Sequence, residues 1–352
     1  MNMFISFLIS FATTVILTPF IINLSYKIGA IDLPNERKVH QGGIPRIGGL
    51  AIIIGFLVGA FYLNLDDYSN FNLILISVVV ILITGILDDI YNIKPIYKFA
   101  GQLLAALLVV AVAELKIEYV ILPNNFKVDF GFYSYFITLF WILALINSIN
   151  FIDGLDGLAA GVSIIALGSI LYLSLINNQT LVIALATVVI GCTLGFLLFN
   201  FHPAKIFMGD TGSQFLGFII AIISIIGFYK SVTIFSLFIP IIILGVPLFD
   251  TFFAIMRRLL SKKGISQADR SHIHHKLLDM GFSHRESVLI IYFTCIIFSA
   301  IAISSSRVTL WQSFIIFIIF IIILQLLAEF TGLLGKKQIF LSFFKKILFR
   351  NK

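Results

Sequence analysis

Charged side chains are scarce in this sequence. Asp, Glu, Lys and Arg together make up 12% of the 352 residues, whereas a soluble domain has about a quarter. Hydrophobic residues make up 60%, and apolar runs of 16 to 25 residues recur along the chain. This pattern excludes an ordinary soluble domain and predicts an all-α integral membrane protein that crosses the bilayer many times.

Cysteine is nearly absent as well. Cys192 and Cys295 both lie inside apolar runs, so we interpret them as small apolar residues and expect no disulfide framework. The first apolar run, residues 3–24, has no basic residue before it and no small-residue cleavage site after it. We therefore expect an uncleaved first span. The formal charge of +7 is typical of basic cytoplasmic loops, and we expect no nucleic-acid partner.

About eleven apolar segments are long enough to be transmembrane helices. Alternating their loops between the two sides puts twenty Lys and Arg residues on one side and four on the other. Because the basic side is cytoplasmic, we predict an external N-terminus and a cytoplasmic C-terminus. The predicted spans are residues 3–25, 48–64, 71–87, 96–114, 132–149, 159–176, 180–199, 214–229, 233–257, 287–303 and 310–329.

No segment outside these spans is long or distinct enough to predict a second folded domain. We predict one transmembrane domain at residues 1–330 and a basic tail at residues 331–352. The tail mixes Phe, Leu and Ile with six Lys and Arg residues, which suits either an amphipathic helix on the anionic inner leaflet or plain topology charges. Residues 115–131 alternate enough to predict a small strand or hairpin on the outer side.

The most polar interruption of an apolar region is NSINFIDGLDGLAAG, residues 147–161. It carries Asn147, Asn150, Asp153 and Asp156 without any Lys or Arg. On a helix, this spacing would put the four side chains on one slowly turning face. A carboxylate within the bilayer costs roughly 2.5 to 3.5 kcal/mol on insertion scales. The segment therefore indicates an ion, a substrate or water at the end of a span.

Two further polar loops precede it. In residues 31–49, Lys38, His40 and Arg46 are candidates to bind an anionic substrate, although they equally fit topology charges. In LDDIYNIKPIYKFAGQ, residues 87–102, the adjacent carboxylates of Asp88 and Asp89 repel each other. Such a pair suits either a divalent cation or a general base. Lys98 lies near the start of the next span, where it could hold a lipid phosphate.

A third loop, NFHPAKIFMGDTGS at residues 200–213, places Asp210 in a glycine-flanked turn before a span. Its hard oxygen ligands suit Mg²⁺, which usually also binds substrate phosphate oxygens. The sequence is no P-loop, because the Gly-Lys-Ser/Thr ending is missing. The backbone N–H groups at the start of the following helix could still receive a phosphate.

The fourth loop lies in residues 257–286. His272 and His275 are three residues apart, so we expect them to share a helical face, with His274 pointing elsewhere. A zinc site needs about four ligands, and no cysteine is nearby. The alternative is that Arg270 and the histidines donate hydrogen bonds to phosphate oxygens.

Together, the four loops combine acids for a metal, bases for phosphates and a membrane for a lipid, all on the predicted cytoplasmic side. This combination favours phosphoryl-type transfer between a soluble nucleotide and a lipid. A secondary transporter is the alternative from another class, since intramembrane acids also mark ion pathways. The acids here fall at span ends, however, and no convincing internal repeat is present.

With these motifs, the chain resembles the polyprenyl-phosphate N-acetylhexosamine-1-phosphate transferases, relatives of the phospho-MurNAc-pentapeptide translocase. The matching segments are PRIGG at 45–49, LDDIYNIKP at 87–95, NSINFIDGLDGLAAG at 147–161, NFHPAKIFMGDTGS at 200–213 and HIHHKLLDMGFS at 272–283. They follow the family's order and span most of the chain. The HIHH form resembles the GlcNAc-1-phosphate branch, so UDP-MurNAc-pentapeptide and other UDP-N-acetylhexosamines rank behind UDP-GlcNAc as donors.

The resemblance implies a reaction in a bacterial cytoplasmic membrane. UDP-GlcNAc gives its sugar 1-phosphate to undecaprenyl phosphate, UMP leaves, and Mg²⁺, or alternatively Mn²⁺, is the cofactor. Relatives of this kind often pair, so the resemblance admits a homodimer.

The resemblance also implies roles for individual residues. Asp210 and Asn150 are the expected metal ligands. Asp88 and Asp89 are expected to act on the lipid phosphate, with Asp89 alternatively holding the metal. Asp156 is the third expected catalytic residue, and with Asp153 it is expected to orient the nucleotide or sugar. The other expected site residues bind phosphates, and they are Arg270, His272, His274, His275, Lys38 and Lys98.

Overall fold

The computed structural model describes residues 2–32, 43–65, 70–122, 126–229, 234–260, 272–306, 308 and 310–330. These residues form thirteen α-helices and two pairs of short antiparallel strands. The helices are α1 (Met3–Ile28), α2 (Gly49–Leu63), α3 (Phe71–Tyr91), α4 (Pro95–Leu107), α5 (Tyr133–Ile152), α6 (Leu158–Ile176), α7 (Thr180–Asn200), α8 (Gly209–Ser224), α9 (Ile234–Ile243), α10 (Gly245–Leu260), α11 (Ile273–Asp279), α12 (His284–Ser305) and α13 (Leu310–Phe330). The strands are β1 (Ile31–Asp32), β2 (Ile44–Pro45), β3 (Tyr119–Leu122) and β4 (Phe126–Asp129).

The predicted helical membrane architecture is confirmed. Among the described residues, eight helices are long and apolar enough to cross a membrane, namely α1, α3 to α8 and α12. Two of them continue into π-helical turns, α4 through Leu108–Val112 and α8 through Ile225–Tyr229. The predicted number of eleven spans and the predicted orientation stay predictions.

The predicted span at residues 233–257 is divided between two helices in the structure. α9 ends at Ile243 and α10 begins at Gly245, so the apolar run is divided at Leu244. Pro240 lies inside α9. Proline and glycine both weaken a continuous helix, one by its missing N–H and the other by its backbone entropy. Neither α9 nor α10 is among the eight helices that are long enough to span.

The strands form two small two-stranded antiparallel sheets. β3 and β4 pair antiparallel, with Tyr119 opposite Asp129, which confirms the hairpin predicted at residues 115–131. β1 and β2 also pair antiparallel, with Ile31 opposite Pro45. Because β1 follows α1 and β2 precedes α2, this second sheet keeps the end of α1 close to the start of α2.

Small side chains allow α1 to pack closely against α2 and α7. In lipid, small residues favour helix association because they let two backbones approach each other. A Cβ atom added to Gly191 of α7 would lie 2.7 Å from the Phe7 carbonyl oxygen of α1. The buried polar residues of α1 recur at short intervals on this face, and they are Ser6, Ser10, Thr14, Thr18 and Ser25.

Helix α8 is the centre of the bundle. Every residue from Thr211 to Ser224 is buried, and the helix packs against α2, α3 and α5. Gly85 makes the contact between α3 and α8 possible, because a Cβ atom there would lie 2.4 Å from the Thr211 Cα atom. This close approach brings the C-terminal end of α3, with its two adjacent acids, to the N-terminal end of α8.

Candidate active site

Four helix ends meet at one end of the bundle, where α3 and α5 finish and α4 and α8 begin. Lys98, near the start of α4, contacts one residue at each of the other three helix ends. Its Nζ atom lies 2.7 Å from Asp210 Oδ1 and 3.2 Å from Asp88 Oδ2. It also donates a hydrogen bond to Asn150 Oδ1 at 3.3 Å. Four of the residues expected from the sequence are therefore in direct contact.

Asp89 takes a different place from its neighbour. Its carboxylate accepts hydrogen bonds from the N–H groups of Asp210 at 2.9 Å and of Thr211 at 3.0 Å. Its side chain is fully buried. The expectation that the N–H groups at the start of α8 are available to a phosphate is therefore wrong for these two groups, because a carboxylate of the chain itself occupies them.

The oxygens around Lys98 form a donor set that fits a magnesium ion. Asp210 and Asp88 contribute carboxylate oxygens and Asn150 an amide oxygen, and hard oxygen ligands of this kind suit Mg²⁺. The ammonium group stands as a cation at the point where these oxygens converge. Asn150 Nδ2 also donates to Asp210 Oδ1 and, at 2.8 Å, to Ser213 Oγ. Both contacts fix the orientation of the amide.

A cleft of about 430 Å³ opens beside this cluster. Asn150 and Asp210 lie on its wall together with Asp153 and Asp156. Because α5 ends at Ile152, Asp153 and Asp156 lie in the turn before α6. The single helical face suggested by the three-residue spacing is therefore wrong beyond Asn150.

The side-chain carboxyl of Asp153, which lies in this turn, has a shifted pKa. Burial raises the pKa of Asp153 well above its usual range, and the nearby carboxylates of Asp210, Asp89 and Asp156 raise it further. Like charges that share a cleft disfavour one another's ionised forms. The arrangement favours a cation or a hydrogen-bonding substrate group against this wall.

Asp156 is held by two histidines. Its Oδ2 atom lies 2.7 Å from His202 Nδ1, and its backbone N–H donates to His284 Nε2 at 2.9 Å. Ligand atoms of the three residues lie within 4.8 Å of one another. The two imidazole rings stack, with their centroids 4.3 Å apart. Asp156, His202 and His284 thus form a hydrogen-bonded part of the cleft wall.

The histidines of the HIHH segment lie close together, with the ring centroids of His272 and His274 5.7 Å apart and those of His274 and His275 4.3 Å apart, but their surroundings differ. His272 precedes α11 with an extended backbone, so the expected helical face shared by His272 and His275 is wrong. Its Nδ1 atom lies 2.7 Å from Asp250 Oδ2, while the other oxygen of Asp250 accepts the Ile273 N–H at 2.9 Å. Asp250 thus fixes both His272 and the first turn of α11.

His275 lines the cleft, whereas His274 is buried beneath it. A Cβ atom on Gly154 would lie 2.3 Å from His274 Nε2, so α11 packs directly on the turn that carries Asp153. Burial lowers the pKa of His274 well below its usual value, and the neighbouring histidines add to this effect. His274 is therefore a neutral ring at pH 7.

The structure does not describe every expected site residue, and it adds one that the sequence interpretation missed. Lys38 and Arg270 lie outside the described residues. Asp250 was not predicted, although an acid inside an apolar run is itself a signal of function. Arg46, in contrast, lines the cleft and lies 3.6 Å from Asp89 Oδ1.

Comparisons with known proteins show the family of this chain. The sequence pattern of the family described as glycosyl transferase family 4 matches residues 71–228. A probable undecaprenyl-phosphate N-acetylglucosaminyl 1-phosphate transferase of Bacillus subtilis is 47% identical over 99% of this chain and 97% of its own length. A decaprenyl-phosphate N-acetylglucosaminephosphotransferase of Mycobacterium tuberculosis is 35% identical over 76% of this chain and 74% of its own. An undecaprenyl-phosphate alpha-N-acetylglucosaminyl 1-phosphate transferase of Yersinia pestis is 29% identical over 85% and 83%.

Proposed function

Because this chain belongs to glycosyl transferase family 4, we propose that it is a polyprenyl-phosphate N-acetylglucosamine-1-phosphate transferase. Its relative in Bacillus subtilis carries that activity in its name and is matched over nearly its whole length. The eight apolar helices fit a multi-pass protein of the bacterial cytoplasmic membrane. The acceptor is a polyprenyl phosphate and the donor a sugar nucleotide.

The proposed substrates are UDP-GlcNAc and undecaprenyl phosphate. An oxygen of the acceptor phosphate attacks the sugar-bearing phosphorus of the donor. The bond from this phosphorus to the oxygen of UMP breaks, UMP leaves with the electron pair, and a lipid-linked pyrophosphate sugar remains. Such a transfer depends mainly on positioning and on neutralising charge.

The observation that carries the proposed site is the convergence of Asp210, Asp88 and Asn150 on one cationic group. We propose that Asp210 and Asn150 hold Mg²⁺ or Mn²⁺, with Asp88 beside them. When bound, the ion would neutralise charge on the phosphate oxygens. Asp89 acts as a positioning residue, because α8 and Arg46 already engage its carboxylate.

The remaining residues divide between two sides. The cleft, lined by Asp153, Asp156 and His275, is the proposed place of the nucleotide sugar. His272 and His274 support this wall from below, and Lys38 and Arg270 remain proposed phosphate ligands. Asp88 and Lys98 are the proposed acceptor side. The apolar side chains next to Lys98 are exposed, as expected for a surface that faces lipid, and they are Ile96, Tyr97 and Phe99.

The topology belongs to the same proposal. Eleven spans would place the site, the C-terminus and the basic tail at residues 331–352 on the cytoplasmic side. This orientation gives the cleft access to a soluble nucleotide, while Lys98 lies near the membrane. A homodimer is the proposed assembly, and cross-linking in native membranes tests it.

Release of UMP by the purified protein in detergent tests the proposed function. Undecaprenyl phosphate is combined with UDP-GlcNAc, UDP-GalNAc or UDP-MurNAc-pentapeptide, each with and without Mg²⁺. Metal-dependent UMP from UDP-GlcNAc alone is the expected result. UMP from the pentapeptide donor alone would move the protein to the peptidoglycan branch, and no UMP from any donor would contradict the proposal.

A further inference from the structure

Lys98 occupies the centre of the proposed metal site. Three oxygens from three helices surround its Nζ atom, at 2.7 Å for Asp210, 3.2 Å for Asp88 and 3.3 Å for Asn150. Only 18% of its side chain is exposed. The ammonium group therefore has the position and the ligands of a bound cation.

A divalent ion and this ammonium group cannot use the same oxygens together. Magnesium binds oxygen at about 2.0 to 2.1 Å, and an ammonium nitrogen within hydrogen-bond distance of the same atoms would lie only a few ångströms from it. Two cations so close repel strongly in a partly buried site, where water screens them weakly. One must leave when the other binds.

We propose that Lys98 is an exchangeable counter-cation, which the divalent ion displaces from Asp210 and which then binds the acceptor phosphate. This inference rests on the proposed function. Lysine suits such a role because its ammonium is a point charge on a flexible stem of four carbons. The exposed neighbours Ile96 and Tyr97 lie where the lipid would arrive, so a short movement of the side chain would carry its charge from the carboxylates to the phosphate.

The helices that carry these groups are fixed one turn further into the bundle. Gln102 Nε2 donates to Gln214 Oε1 at 3.1 Å, and Asn147 Nδ2 donates to Gln102 Oε1 at 3.0 Å. These amides lie on α4, α8 and α5, the helices of Lys98, Asp210 and Asn150. The exchange can therefore proceed by rotation of one side chain while the oxygens keep their places.

The exchange has a consequence for binding that a simple phosphate-binding lysine would not have. If the ion displaces Lys98 towards the acceptor, the acceptor must in turn favour the ion, because coupling between two ligands is reciprocal. Removing the lysine should then strengthen metal binding and abolish the coupling. A lysine that only binds phosphate would leave the affinity for the ion unchanged.

Binding of Mn²⁺ to the purified full-length protein, followed by electron paramagnetic resonance, tests the proposal. Lys98→Met should bind Mn²⁺ about tenfold more tightly than the wild type, because a competing positive charge has been removed. The control Lys94→Met changes an exposed lysine at the start of the same helix and should leave the affinity unchanged. Undecaprenyl phosphate should tighten Mn²⁺ binding to the wild type but not to Lys98→Met.

Equal or weaker Mn²⁺ binding by Lys98→Met would overturn the inference. If Asp210→Ala abolishes Mn²⁺ binding while Lys98→Met leaves it unchanged, the exchange fails and the proposed metal site stands. If Asp210→Ala has no effect on Mn²⁺ binding, both fail. Should Lys98→Met unfold because Asp88 and Asp210 repel, Lys98→Gln retains a hydrogen-bond donor, and the same increase in Mn²⁺ affinity is expected.

Discussion

Asp89 caps helix α8 through Thr211, which donates two hydrogen bonds to the same carboxylate oxygen, from its backbone N–H at 3.0 Å and from its hydroxyl at 2.6 Å. The carboxylate thus lies at the positive end of the α8 dipole, although it belongs to α3. The adjacent Asp88 contacts Lys98 instead. One turn of helix α3 therefore carries an acid that holds the fold together beside an acid that faces the proposed chemistry.

Asp89→Asn should destabilise the protein, whereas Asp88→Asn should mainly reduce transfer. An asparagine at position 89 loses the negative charge and places an amide N–H₂ among N–H donors, which costs roughly 1 to 3 kcal/mol in a buried site. Thermal unfolding in detergent should show a fall of several degrees for Asp89→Asn. Asp88→Asn should lower kcat by about a hundredfold, because it removes a charge from the reacting groups.

The two variants serve as each other's control, since they make the same chemical change at adjacent positions. Equal unfolding temperatures would contradict the assignment of Asp89 to the capping of α8. A stable Asp89→Asn protein that has lost all transfer would return this residue to a direct catalytic role.

Asp250 should control donor binding through His272. Asp250→Ala removes the acceptor of both His272 Nδ1 and the Ile273 N–H, so α11 loses its fixed position beside the cleft. A displacement of about 1 Å can cost on the order of a hundredfold in rate. We expect the KM for the nucleotide sugar to rise about tenfold or more, and the KM for the lipid acceptor to stay unchanged.

Asp279→Ala is the matched control, since Asp279 is the exposed last residue of α11, the helix that Asp250 positions. Its two KM values should equal those of the wild type. A parallel rise of both KM values in Asp250→Ala, together with a lower unfolding temperature, would indicate a general loss of structure instead of a role in placing α11.

The buried amides Asn147, Gln102 and Gln214 should hold the reacting helices in register. Gln102→Leu preserves the volume but leaves Gln214 Oε1 without its hydrogen bond from Gln102, at a cost of roughly 1 to 3 kcal/mol. We expect kcat to fall more than either KM changes. Gln179→Leu is the control. It removes the hydrogen bond from Gln179 to Gly227 O at 2.6 Å, and Gln179 directly precedes the first residue of α7.

A Gln102→Leu protein with wild-type kcat would show that the three amides only stabilise the bundle. Loss of activity in both glutamine variants would show that kcat follows general stability. The two outcomes are separated by comparing kcat with the unfolding temperature of each variant.

The sequence predicted the membrane fold because long apolar runs have few alternatives. The hairpin at residues 115–131 followed from its alternation. The break at Leu244 was missed, since the residues on either side of it, from Ile234 to Phe249, are almost all apolar in the sequence. A hydropathy pattern does not show where a helix divides, and Pro240 was the local signal for it.

The sequence also predicted which residues gather but not what each contacts. The sequence alone does not distinguish the role of Asp88 from that of its neighbour Asp89. Helix α3 separates them by about 100°, so only tertiary structure decides that one meets Lys98 and the other meets α8. Asp250 was overlooked because its partner His272 lies 22 residues further along the chain.

His274 should make the stability of the folded protein depend on pH. Its pKa is lowered well below the usual value in the folded state, whereas the unfolded chain restores an ordinary pKa of about 6.5. Below that pH, His274 is protonated in the unfolded chain but stays unprotonated in the folded protein. The free energy of unfolding should therefore decrease as the pH falls. Between pH 7 and pH 5, the unfolding temperature of the wild type should fall more steeply than that of His274→Gln, which cannot titrate in this range.

Lys276→Gln, on the same short helix, keeps His274 and should retain the steep dependence on pH. Parallel curves for the wild type and His274→Gln would show that another group causes the loss of stability in acid. A flatter curve for His274→Gln alone would instead show that the buried ring is neutral in the folded state, as its burial against Gly154 requires. A neutral His274 can supply the proposed diphosphate site with a hydrogen bond but with no positive charge, so His275, which lines the cleft, is the histidine of α11 placed to contact the donor directly.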